Sequence, residues 1–292
     1  MEWRGTFAVT ITPFTSRNEL DEEGIRQHVE WLITEGIHGI ICVGSTGEFL
    51  CLSDAERRRV VEVTVDQARR RVPVLAGCTA EATPDAIRWA RHAEGAGADG
   101  AMIAPPFYCT PDFDELYAHY RAIAESVRFP IMLYNYPPAS GVDMVPSFVA
   151  RLAEIENIRY IKESTTDVRR VRDTLRLTDG RMKVFAGILA YESWWVGSTG
   201  WVSVVANIVP KKCARMFELV ANEQNLEAGL ALYKELMPLM IFNEEGKYVQ
   251  IPKAALNMMG RPGGGLPRAP RLPLSGEKLA RLERILKDLK LI

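Results

Sequence analysis

Residues 158–163 read Ile-Arg-Tyr-Ile-Lys-Glu, a short run of β-branched and aromatic residues that ends on a charged pair. Such a run suits a strand covered on both faces, where apolar residues are near-continuous rather than alternating. Seven more runs of this kind surround it. TFAVTIT (6–12), GIICVG (39–44), VPVLAG (72–77), GAMIAP (100–105) and PIMLYN (130–135) precede it; KVFAGI (183–188) and WVSVVA (201–206) follow it. Amphipathic stretches of helical period separate them, among them EEGIRQHVEWLITEG and DAERRRVVEVTVDQARRR. The second begins after Ser53, a suitable N-cap, with Asp54 in the first turn. Eight apolar strands, each followed by a helix, is the pattern of an α/β fold, the (β/α)8 barrel. Only the link between the last two strands, LAYESWWVGSTG, is short, so its helix is weakly marked.

Lys162 stands near the end of the sixth run and is the first lysine in the chain; every strong cation before it is arginine. Arginine stays charged at any working pH, whereas a buried lysine can lose its proton and act as a nucleophile. Most lysines are solvated. The local sequence therefore leaves two readings open, a surface cation and an amine kept for its chemistry, and position in the fold must separate them.

The chain has 292 residues, enough for one large barrel with additions or for two ordinary domains. After the eighth run come helical stretches at about 211–222, 225–241 and 248–259, a Gly/Pro-rich link over 260–276, and a final amphipathic helix, EKLARLERILKDLKLI. This places the catalytic barrel at 1–222 and a C-terminal helical extension at 223–292. The Gly-rich link follows a helix rather than a strand and lacks a GK[ST] ending, so it reads as a connector and not a phosphate cradle. LYKELMPLMIF reads as helix packing rather than a cofactor box.

Bulk properties exclude several classes of function. The hydrophobic content of 47%, charged content of 25% and net charge of −1 are those of an ordinary globular protein. They give no reason to expect a nucleic-acid or acidic-membrane partner. The opening MEWRGTFAVTITPF lacks the layout of a signal peptide, and no apolar run is long enough to span a bilayer. Cys42, Cys51, Cys78, Cys109 and Cys213 form no CxxC pair and are expected to be reduced thiols in a cytoplasmic protein. His28, His38, His92 and His119 show no ligand spacing, so no metal site is expected.

In a (β/α)8 barrel the active site lies at the C-terminal ends of the strands. Here those ends carry GSTGE (44–48), PPFYCTP (105–111), YNYP (134–137), KES (162–164) and AGI (186–188). On this fold Lys162 shares one mouth with Ser45, Thr46 and Tyr134. A barrel mouth strips water from an amine, lowers its pKa and favours Schiff-base formation with a 2-oxo acid. The GSTG turn offers hydroxyls and backbone N–H groups suited to a carboxylate, and Tyr134 could relay a proton. Taken alone, each has a plainer reading: Gly/Ser/Thr turns are common, and a buried tyrosine needs only a partner for its hydroxyl.

GSTGE, PPFYCTP, LYNYP and IKES, in this order and at these spacings, resemble the dihydrodipicolinate synthase/N-acetylneuraminate lyase family. The resemblance runs through VQIPKAALNMMG and the final helix. It implies a Schiff-base lyase on a (β/α)8 barrel, usually a homotetramer built from tight dimers, with no cofactor. Matched residue by residue, it implies that Lys162 is the imine lysine and Tyr134 the proton-relay tyrosine. Ser45 and Thr46 would bind the carboxylate of pyruvate, with Ser45 also in the relay. Tyr108 matches the tyrosine a neighbouring subunit inserts into that relay, and Gly187 and Val202 match positions lining the pyruvyl pocket.

Two departures bear on the second substrate. Family members that make the lysine precursor usually carry an arginine shortly after the YNxP motif; here that place holds Ala139. Sialic acid lyases carry acidic residues after the strand-seven glycine; here Ile188, Leu189 and Ala190 follow Gly187. YNYPPASG is instead similar to the 2-keto-3-deoxygluconate aldolase branch. The expectation is a lyase acting on a 2-oxo acid through a Lys162 Schiff base, by aldol cleavage or condensation, or by dehydration or deamination. 4-Hydroxy-tetrahydrodipicolinate synthase is the alternative, and a non-catalytic metabolite-binding barrel the remote one.

Overall fold

All eight apolar runs contribute strands in the computed structural model, which describes residues 2–292. The strands are β1 (Gly5–Val9), β2 (Gly39–Cys42), β3 (Val74–Gly77), β4 (Gly100–Ile103), β5 (Ile131–Asn135), β6 (Ile158–Glu163), β7 (Lys183–Ala186) and β8 (Gly200–Ser203). They neighbour one another in sequence order and the sheet closes, as a (β/α)8 barrel requires. Helices follow the strands: α1 (Glu22–Thr34), α2 (Asp54–Ala68), α3 (Thr83–Gly95), α4 (Phe113–Glu125), α5 (Pro137–Ser140), α6 (Pro146–Leu152), α7 (Arg169–Leu177) and α8 (Ala190–Trp195). Beyond β8 come α9 (Pro210–Phe217), α10 (Leu226–Glu244), α11 (Gln250–Met258) and α12 (Gly276–Asp288).

Local chemistry accounts for the ends of these elements. Ser53 caps α2 by accepting from the Glu56 N–H, and Glu56 accepts in return from the Ser53 N–H, a capping box. The weakly marked helix between β7 and β8 is α8, six residues long. WVSVVA stops being a strand at Ser203 because Val205–Asn207 winds into a 3-10 turn.

The chain forms two compact units. One joins the N-terminal residues up to Gly5 to Val74–Val202; the other joins Thr6–Pro73 to Ser203–Ile292. In the first, β4 pairs with β3 and β5, and β6 with β5 and β7, all in parallel. Its core is apolar on both strand faces: Ile103, Ile131, Met132, Leu133, Ile161, Val184 and Phe185 are buried. In the second, β1 pairs in parallel with β2, and α1 and α2 carry the buried Leu32, Val60 and Val63. The Gly-rich link has no helix or strand over 260–275 and packs inside this unit: Arg268 donates to the Glu56 carboxylate and to the Asn18 carbonyl. Among the described residues no helix is long and apolar enough to cross a membrane.

Candidate active site

The ladder between β5 and β6 sets Tyr134 opposite Lys162 and Asn135 opposite Glu163. Side chains alternate along a strand, so each adjacent pair splits between the two faces of the sheet. Lys162 is 6% exposed, and its Nζ lies 4.1 Å from the centre of the Tyr134 ring. Among the described residues no carboxylate pairs with this amine. Burial alone pulls its pKa down to about 7, because a charge without water or a counter-ion is costly. Near neutral pH a large share of the amine is therefore unprotonated and able to attack a carbonyl.

Directly beside it the chain leaves β7 at Gly187, whose N–H donates to the Glu163 carbonyl at 2.7 Å. A Cβ at this position would lie 1.8 Å from Ser164 Oγ and 3.1 Å from Lys162 Cε. No side chain fits there, so glycine is what allows Ser164 and Lys162 to share this space. The Ser164 hydroxyl is buried and has no partner among the described residues. A buried hydroxyl without a partner is costly, and this one is available to a ligand beside the amine.

On the other face, Glu163 and Asn135 form a polar network. Asn135 Nδ2 donates to Glu163 Oε2 at 3.1 Å and to Asp143 Oδ1 at 3.3 Å, while Asn135 Oδ1 accepts from the Met144 N–H at 3.0 Å. Glu163 Oε1 also accepts from the Thr165 N–H at 2.8 Å. Burial pushes the Glu163 carboxyl above its ordinary range, against the pull of these donors. Arg170 grips Asp143 with two bonds of 2.6 Å; burial raises the Asp143 pKa, but Arg170 and Asn135 hold it below its ordinary value.

The remaining expected residues are placed as follows. Val202 is buried on β8. Tyr108 is 87% exposed, on a loop whose Phe107 and Tyr108 N–H groups both donate to the Glu81 carboxylate. Ala139 is exposed on α5, and Ile188 and Leu189 are half-buried before α8. Ser45 and Thr46 belong to the second unit, in the turn after β2. There Thr46 is buried, Ser45 half-buried, and the Thr12 hydroxyl donates to the Gly47 carbonyl at 2.7 Å. Glu48 ends this turn in the left-handed region at φ 57° and forms a fully buried ion pair of 2.6 Å with Lys253. Among the described residues no group of three or more His, Cys, Asp or Glu side chains could hold a metal ion.

The sequence profile of the dihydrodipicolinate synthetase family matches residues 2–289. The chain belongs to this family. A 4-hydroxy-tetrahydrodipicolinate synthase of Legionella pneumophila is 39% identical over 294 aligned positions, covering 99% of both chains. Among solved structures, the dihydrodipicolinate synthase of Acinetobacter baumannii, complexed with pyruvate, is 34% identical with a TM-score of 0.93 and full coverage of both chains. A prophage protein of the dihydrodipicolinic acid synthase family from E. coli K12, also in complex with pyruvate, is 28% identical with a TM-score of 0.95 and full coverage of both chains. The family assignment makes this chain a lyase-type enzyme that acts on a small molecule.

Sequence reasoning singled out Lys162, Tyr134 and Gly187, which the structure brings together at the ends of β5, β6 and β7. It overlooked Ser164, whose signal was its spacing: two residues after Lys162, it returns to the same side of the chain. It also overlooked Asn135 and Glu163, each adjacent to a residue it had chosen.

Proposed function

We propose that this family member condenses pyruvate with aspartate semialdehyde through a Schiff base on Lys162, the reaction of a 4-hydroxy-tetrahydrodipicolinate synthase. The observation that carries the Schiff base is the Lys162 amine: buried, without a counter-ion, with a pKa near 7 and set against the Tyr134 ring. The choice of reaction is supported by relatives of that name at 35–40% identity along 97–99% of the chain. They outweigh the expectation from Ala139, which favoured another 2-oxo acid lyase.

In this reading the neutral amine adds to the pyruvate carbonyl and water leaves, giving the imine. Loss of a proton from the methyl carbon gives an enamine, which attacks the aldehyde carbon and forms one C–C bond. The amino group of the second substrate then displaces Lys162 from the imine carbon, which closes a ring and frees the lysine. Tyr134 carries protons between these steps. By resemblance to the family, Ser45 and Thr46 take the pyruvate carboxylate, Ser45 joins the relay, and Gly187 and Val202 line the pyruvyl pocket. Tyr108, almost wholly exposed in the single chain, completes the relay of a neighbouring subunit in a cytoplasmic homotetramer.

One observation favours a second reading. Ala139 provides no cation for the second substrate's carboxylate, and a buried carboxylate deprived of its arginine loses roughly 2–5 kcal/mol. A short hydroxy or deoxy 2-oxo acid would not suffer this loss. Two measurements decide. Pyruvate with borohydride should add a reduced pyruvyl mass to the peptide containing Lys162; a label elsewhere, or none, sinks the Schiff base. kcat/KM is then compared for aspartate semialdehyde with pyruvate, 2-keto-3-deoxygluconate, N-acetylneuraminate and a shorter hydroxy 2-oxo acid. A clear lead for any but the first replaces the synthase reading.

A further inference from the structure

We propose that Asn135 and Glu163 are positioning residues, a side-chain clamp behind the reactive pair that fixes the register in which Lys162 meets Tyr134. The inference deepens the Schiff-base reading and rests on it for its kinetic consequences.

The need for a clamp comes from the ladder itself. Ile131 pairs with Ile158, but Met132 pairs with Tyr160, so Arg159 is an extra residue and the register shifts at this point. A bulge bends the strand and increases its twist. Beyond it the register must be set again, since a slip of one residue sends every following side chain to the opposite face. Four paired positions remain after the bulge, ending at Asn135 opposite Glu163. At this last pair the side chains add their own bond, Asn135 Nδ2 to Glu163 Oε2 at 3.1 Å, buried and one residue beyond Tyr134 and Lys162. A register one residue away would break it.

The clamp requires a carboxylate at 163 and an amide at 135. Glu163 accepts at both oxygens, from the Thr165 N–H at Oε1 and from Asn135 at Oε2. A glutamine has one acceptor oxygen, so either orientation turns its NH2 toward the Asn135 amide or the Thr165 N–H. Asn135 uses both ends of its amide, donating to Glu163 and Asp143 and accepting from the Met144 N–H. Through Asp143 and its bidentate Arg170 the clamp is anchored to the start of α7. Both residues lie on strand positions that alternate away from Lys162, so neither is placed to touch substrate.

The test uses Glu163→Gln and the exchange variant Asn135→Asp/Asp143→Asn/Glu163→Gln. In the exchange variant the carboxylate introduced on β5 accepts from the glutamine amide and from the amide introduced at 143, whose carbonyl still accepts from Arg170, and the glutamine carbonyl keeps the Thr165 N–H. Misplacing a reacting group costs about tenfold to a hundredfold. Glu163→Gln should therefore lower kcat by about that factor, while KM for pyruvate changes much less. The exchange variant should recover most of the loss. The second readout needs no turnover: trace acetylation of Lys162 by acetic anhydride, followed with pH by peptide mass spectrometry. A loosened strand end admits water to the amine, so in Glu163→Gln the labelling midpoint should rise by about one unit or more. A role through charge alone would lower it, because removing a carboxylate disfavours the ammonium. A folded Glu163→Gln protein with an unchanged or lowered midpoint overturns the clamp. Should Glu163→Gln not fold, the exchange variant decides by itself: a midpoint near the wild-type value supports the clamp, and a displaced one overturns it. Borohydride trapping of the wild type tests the Schiff base separately, and the acetylation midpoint stays informative if that trapping fails.

Discussion

Two lysines are buried among the described residues, and they differ in their polar partners. Lys253 in the second unit is 1% exposed, with Nζ 2.6 Å from Glu48, 3.0 Å from the Leu266 carbonyl and 4.4 Å from the centre of the Phe14 ring. Lys162 in the first unit is 6% exposed and has the ring, Tyr134, but not the acid. Burial lowers both pKa values; at Lys253 the Glu48 carboxylate opposes it, whereas at Lys162 burial acts alone. The paired lysine is a strut. It holds Glu48, and Glu48 holds the turn carrying Ser45 and Thr46 and accepts from the Arg268 N–H at 2.9 Å. The unpaired lysine makes no such return in structure, and the proposed Schiff base is what would account for its cost.

Removing each amine separates the two lysines most strongly. Lys162→Met keeps the length and apolar stem without the nitrogen. Turnover should fall by on the order of a thousandfold or more, because the nucleophile itself is gone. Stability should move the other way. Unfolded lysine titrates near 10.5 and the folded one near 7, so the unfolded chain binds more protons between these values. The wild type is therefore penalised at pH 7 by roughly 4 kcal/mol, a penalty that fades as pH rises toward 10.5. Urea unfolding of both proteins at pH 7 and pH 9.5 should show a gain for Lys162→Met that shrinks at the higher pH. A loss of stability at pH 7 would mean that Lys162 has a partner in solution and is a strut after all.

Lys253→Ala is the counterpart. It leaves the wholly buried Glu48 carboxylate with only the longer 3.9 Å contact to Arg271, at a cost of about 3–5 kcal/mol. The expected result is a large fall in the denaturation midpoint and a raised KM for pyruvate through the slackened turn. At saturating pyruvate, borohydride should still label Lys162 in the folded fraction. Loss of that labelling would give Lys253 a part in the chemistry and end the division between the two lysines.

How far this contrast could be read beforehand follows from where its parts lie in the chain. The barrel was legible because its strands are short unbroken apolar runs such as PIMLYN and IRYIKE, whose burial on both faces leaves few alternatives. Lys162 was legible because it closes such a run. The partner of Lys253 was not, since Glu48 is 205 residues away and nothing local pairs them. The Asn135–Glu163 bond was equally hidden: it depends on a register that shifts at Ile131/Met132, and apolar patterning carries no trace of one extra residue in a buried ladder. Ala139 shows the opposite failing. One residue of the short helix α5 weighed heavily when read alone, whereas a relative 39% identical aligns with this chain along nearly its whole length.

The smallest expected effect is also the most direct measure of the difference between the lysines. Imine formation needs the neutral amine, and a lysine whose pKa is lowered is neutral above that value and protonated below it. With the Lys162 pKa at about 7, the initial rate of borohydride-trapped imine should be level above pH 8. Below pH 7 it should fall about tenfold per pH unit, as the free amine does, which is about 1.4 kcal/mol per unit. Pyruvate stays ionised throughout this range, so the amine alone sets the slope. The experiment is run at saturating pyruvate on intact protein, with the peptide containing Lys253 followed as an internal reference. That peptide should stay unlabelled at every pH, since its amine is engaged by Glu48. A midpoint near 10, where solvated lysines titrate, would show that the Lys162 amine is hydrated in solution, and the contrast with Lys253 would then lose its physical basis.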